Sequence, residues 1–147
     1  MVIRFSAGIG IAAALAAVAQ DRPGCLLFQP EASAAPAAAC ISCHAGHTGI
    51  GNHSVDIDYA SVRKPDLRPA DEVLRLGVRI PEGKVRCTTC HDAASPWKDR
   101  IALPPGAKAV RAVDLHNPAS YQGAAAAAHP GEPVSPKPLC LACHALD

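Results

Sequence analysis

The chain has 147 residues and a formal net charge of +1, and 49% of its residues are classed hydrophobic, but 30 of them are Ala and 7 are Cys. Val, Ile and Leu number 29, six of them within the first 19 positions, and aromatic residues make up only 3%. So few large side chains exclude a well-filled aliphatic core, the length allows one domain or two very small ones, and the balanced charge gives no argument for a nucleic-acid partner. Something other than side chains is expected to fill the interior; disulfides, metals and cofactors are the usual substitutes.

The N-terminus reads as a secretory signal. Arg4 supplies the positive region, and Phe5 to Ala19 is uncharged and mostly apolar. Those 15 residues are short for a spanning helix, which needs about 20. Ala17-Val18-Ala19 offers a small-x-small cleavage site, and Ala32-Ser33-Ala34 a second one. No twin-Arg pair is present, so a Sec-type route to the periplasm is expected, with a retained membrane anchor as the competing reading. Arg22-Pro23-Gly24 before Cys25 does not resemble a lipid-attachment box. A cut after Ala34 would remove Cys25 and leave six cysteines, all in pairs; an odd thiol is a liability in an oxidising compartment.

Residues 20–39 read as an Ala/Pro-rich tether, flexible over 29–39, and 40–147 as the functional domain. Without residues 1–19 the polypeptide holds 13 basic and 13 acidic residues. Residues 71–76 suit a helical turn or two. Val78 to Ile80 and Lys84 to Arg86 read as a short hairpin (78–86) around Gly83. Residues 101–138 hold half of the fourteen prolines, which argues against long elements there. Ala124 to Ala128 is helix-compatible and is stopped by His129-Pro130.

Three motifs name the expected filler: Cys40-Ile41-Ser42-Cys43-His44, Cys87-Thr88-Thr89-Cys90-His91 and Cys140-Leu141-Ala142-Cys143-His144. Each is C-x-x-C-H, the attachment signature of haem c. Two thiols one helical turn apart add to the two vinyl groups of the porphyrin, and the next residue presents an imidazole to the iron. A zinc ribbon, a redox dithiol or a disulfide framework would also use paired cysteines, but none of these predicts His after the second Cys three times in three. The first cysteines are 47 and then 53 residues apart, which suggests a repeated unit with degenerate linkers. The expected fold is therefore small and mostly irregular, with short helices around three covalently bound haems and little β structure beyond the 78–86 hairpin.

His44, His91 and His144 are the expected proximal ligands. The only Met is Met1, lost with the signal, so a Met/His iron is excluded in the processed chain. Four histidines remain as candidate distal ligands: His47, His53, His116 and His129. His47 lies too close to His44 to serve the same iron comfortably, but could serve a neighbour.

With these motifs the chain resembles the multihaem c-type cytochromes of the doubled C-x-x-C-H, cytochrome c3-like group, over residues 40–147. Two further stretches carry the resemblance. Asn52 to Tyr59 (NHSVDIDY) is similar to that group's N-H-P-V-x-V-D-Y segment, with Ser54 in place of Pro. Gly83 to Asp92 (GKVRCTTCHD) is similar to its G-K-V-x-C-x-x-C-H-D segment. The resemblance implies that His53 is an axial ligand. It also implies closely packed, mostly bis-His, low-potential haems passing electrons between exported redox partners. Where the group often has Pro-His after the Asp, Ala93-Ala94 stand here, which shifts distal ligation toward His116 or His129.

The expected function is thus an electron carrier rather than an enzyme, docking to periplasmic or membrane redox proteins through haem edges with basic residues such as Arg63, Lys64, Arg86 or Lys98 nearby. No specific small-molecule substrate is expected. Two competing readings are a multihaem reductase or peroxidase with one open iron, and an electron-transfer subunit of a membrane redox complex.

Overall fold

The computed structural model describes residues 24–48, 53–123 and 125–145. The expected signal peptide, residues 1–19, lies outside them. Four short helices and one two-stranded ladder are the regular elements among the described residues: α1 (Ala37–Ile41), β1 (Ile57–Asp58), α2 (Ala70–Arg75), β2 (Lys84–Val85), α3 (Cys87–Cys90) and α4 (Lys137–Cys143). Single 3-10 turns and bends connect them. None of these helices is long and apolar enough to cross a membrane.

Local chemistry fixes the ends of α2. Pro69 stands at its N-cap, Asp71 and Glu72 lie in the first turn and Arg75 in the last, each charge complementing the helix dipole. Gly77 closes the helix at φ +85°. Its N–H donates to the Leu74 carbonyl and that of Val78 to the Val73 carbonyl, the paired bonds of a Schellman stop. The glycine is required twice over, because a Cβ there would lie 2.4 Å from Pro105 Cδ.

The core is as small as the composition implied. Tyr59, Val73, Val78, Ile80, Leu139 and Ala142 form it, with Leu67, Ala70, Val85, Cys90 and Cys143 packed at its margin. Val73 is the only large side chain fully buried among the described residues. Two motif cysteines therefore border the core, which lies between α2 and α4.

Two local expectations are corrected. Residues 78–86 do not form a hairpin. A turn does form at Pro81–Gly83, with Gly83 at φ +73°, but β2 pairs antiparallel with β1, Ile57 opposite Val85. Val78 and Ile80 turn their side chains into the core instead of meeting a strand. Residues 125–128 are not helical: the Ala128 N–H donates to the Ala109 carbonyl, and Ala127 bridges Val110. Five alanines are too few to nucleate a helix unaided, and backbone pairing with the 109–111 segment wins. Within 29–39, a 3-10 turn (Pro30–Ala34) leads into α1, with Ala32 and Ala37 buried.

Candidate functional site

All three motifs adopt the same local conformation. Each Cys-x-x-Cys pair spans one helical turn at the end of α1, in α3 or at the end of α4. The following His N–H donates back to the carbonyl of the first Cys: His44 to Cys40 (3.0 Å), His91 to Cys87 (3.0 Å) and His144 to Cys140 (2.8 Å). His91 and His144 then leave the helix with extended backbones, at φ −120° and −113°. Residues three apart on a helical turn share one face, so the two cysteines of a pair lie on the same side of it. None of the six motif cysteines, nor Cys25, is in a disulfide.

The second and third motifs share more than the turn. His91 bridges antiparallel to Ile101, and His144 to Leu67. Around each bridge the same two backbone bonds recur. The residue after the His donates to the residue before its partner: Asp92 N–H to the Arg100 carbonyl (2.8 Å) and Ala145 N–H to the Asp66 carbonyl (2.7 Å). The residue after the partner donates to the second Cys: Ala102 N–H to the Cys90 carbonyl (2.8 Å) and Arg68 N–H to the Cys143 carbonyl (2.9 Å). Each His is thus clamped on a passing strand. Among the described residues, no isolated bridge involves His44.

The clamps also anchor the rings. His91 Nδ1 lies 2.6 Å from the Asp99 carbonyl oxygen, and His144 Nδ1 lies 2.9 Å from Asp66 Oδ2. Consecutive positive φ angles at Asp99 (57°) and Arg100 (54°) aim that carbonyl, a sparsely populated backbone that the surrounding bonds must hold. With Nδ1 given to an acceptor, Nε2 is the nitrogen left to bind a metal. The hydrogen bond from His144 also holds the Asp66 carboxyl below its ordinary pKa.

The segment around His53 reaches the third motif. The His53 ring is exposed, and its centroid is 6.0 Å from that of His144, with the planes at 46°. Tyr59 is buried in the core, and its hydroxyl donates to the carbonyls of Arg68 (2.9 Å) and Cys143 (3.3 Å). Asp56 accepts from the Ala37 N–H at the start of α1 (2.8 Å) and pairs with Arg86 just before α3. One short stretch, 53–59, therefore touches all three motif helices or their flanks.

Arg86 is not a docking residue. It is 6% exposed and is paired with both Asp56 and Glu82, so the expected surface role falls away; its buried Nε has no acceptor among the described residues. Arg63, Lys64 and Lys98 are exposed. His116 and His129 are exposed on the irregular segment between the second and third motifs. His47 lies in the 3-10 turn Ala45–Thr48.

Thiols of different motifs lie near one another. Burial, then the neighbouring Cys87 thiol, raise the Cys40 pKa to about 11. Burial, then Cys143 and Cys140, raise Cys90 to about 11. Among the described residues, no three His, Cys, Asp or Glu side chains converge to hold a metal ion by themselves.

Sequence reasoning missed Asp66, Leu67, Asp99 and Ile101 as partners of the histidines. No spacing or period links position 66 to position 144, so the sequence carried no signal for that contact. No family model matches the chain, and neither curated proteins nor solved structures provide a match.

Proposed function

We propose that this chain is an exported tri-haem c-type cytochrome that carries electrons between redox proteins of the periplasm or its membranes. The observation that carries the reading is the threefold Cys-x-x-Cys-His turn, with the second and third imidazoles fixed at Nδ1. That donor set fits the group: paired free thiols for two thioethers, and a ring nitrogen directed away from its anchor for the iron.

Cys40 and Cys43, Cys87 and Cys90, and Cys140 and Cys143 would hold the three haems, with His44, His91 and His144 as proximal ligands. His53 is the sixth ligand proposed for the third centre. The His53 ring lies beside that of His144, with centroids 6.0 Å apart, and would be the nearby imidazole available to the same centre. His47, His116 and His129 remain the candidates for the other two. The haems, when bound, supply one-electron centres. The protein's own part is to fix the imidazoles, cover one side of the second and third motifs with the Tyr59–Val73–Leu139 core and keep the axial ligands unchanged as the charge changes.

The test is mass spectrometry of the native protein together with a haem stain after denaturation. Three haem masses that travel with the polypeptide are expected. A colourless protein holding stoichiometric zinc, or one whose six motif cysteines are oxidised to disulfides, would reject the reading.

A further inference from the structure

The second and third motifs are clamped by the same backbone bonds, yet their imidazoles meet different acceptors. At His91 the acceptor is neutral, the Asp99 backbone carbonyl. At His144 it is the Asp66 side chain, a carboxylate. From this contrast we infer that Asp66 is a positioning residue that makes the third centre harder to reduce than the second. The inference rests on the tri-haem reading.

The physical argument concerns the charge on the iron. Ferric iron carries one more positive charge than ferrous. A carboxylate accepting the Nδ1–H of the proximal imidazole pushes electron density toward Nε2 and stabilises the ferric state. A carbonyl does the same more weakly, because a charge-assisted hydrogen bond is roughly twice as strong as a neutral one. Were a haem bound there, it would supply a one-electron iron centre reduced by a partner redox protein, and the part of His144 and Asp66 would be to keep their Nδ1 to Oδ2 contact in both charge states.

Geometry makes the contact specific. Asp66 immediately precedes Leu67, the bridge partner of His144, and its own backbone carbonyl accepts from the Ala145 N–H at 2.7 Å. The carboxylate is thus held beside the ring by the same strand that clamps the backbone. Asp99 supplies only main chain to His91, so its side chain is not part of the second contact.

The experiment is a reductive titration of the holoprotein with dithionite, with each haem resolved by paramagnetic NMR. In the wild type, the third haem is expected at a more negative potential than the second. Asp66→Asn should shift the third potential upward toward the second and leave the other two in place. Asp66→Glu should restore most of the wild-type value, and Asp99→Asn should shift nothing. Three haems with all potentials unmoved by Asp66→Asn would overturn the inference alone. If Asp66→Asn does not assemble, the wild-type order decides, and a third haem at or above the second overturns it. A wild-type chain without covalent haem would overturn the proposed function and this inference with it.

Discussion

The clamps on His91 and His144 are nearly superposable in their bonding and opposite in their reach. The second is closed by Ile101, ten residues downstream, whereas the third is closed by Leu67, from the other side of the second motif. Closing a loop costs entropy that rises with its length, so the second clamp can form locally and the third must wait for the chain to fold back. The core reflects this difference. Leu67, Leu139, Ala142 and Cys143 all pack in or against it at the third clamp, where distant segments need holding, whereas the second motif meets it through Cys90.

The comparison is open to direct attack. The largest effect is expected from Cys140→Ser combined with Cys143→Ser. One haem of three should be lost, as read by mass, and the Arg68 and Ala145 amides should lose protection from hydrogen exchange. Asp92 and Ala102 should stay protected; equal loss at both clamps would show them to be one cooperative unit. Next is Val73→Ala, which opens a void at a 0%-exposed site and should cost about 2 kcal/mol in a denaturant titration. The smallest effect expected is that of Tyr59→Phe, about 1 kcal/mol for the hydroxyl's bonds to Arg68 and Cys143. Its pH dependence has a definite sign. Burial, then the Cys143 thiol, raise Tyr59 from 10.0 to about 12, so the folded state favours the neutral phenol. The stability it contributes is full below pH 10 and disappears between 10 and 12. The advantage of the wild type over Tyr59→Phe at neutral pH should therefore be lost as the pH rises from 10 toward 12.

What could be read in advance was whatever is local. The three turns follow from five-residue motifs, and α2 follows from Asp71 to Leu76. The small core followed from counting aliphatic side chains. The remainder depends on contacts that no short window contains. Lys84 and Val85 looked like the return strand of a hairpin, yet Asp56, itself at φ 63°, accepts from Ala37 and pairs with Arg86, and so brings 57–58 alongside instead. The alanine run was judged by propensity, and pairing with residues 109–111 decided it. His53 stood out through a resemblance around it; Asp66 had no such marker.

The placement of the thiols has a consequence for traffic through the molecule. Cys87 lies beside Cys40, while Cys90 lies near Cys140 and Cys143. On the proposed reading, this puts the second centre next to each of the others, so charge held at the first or the third has a near neighbour in the second to pass to.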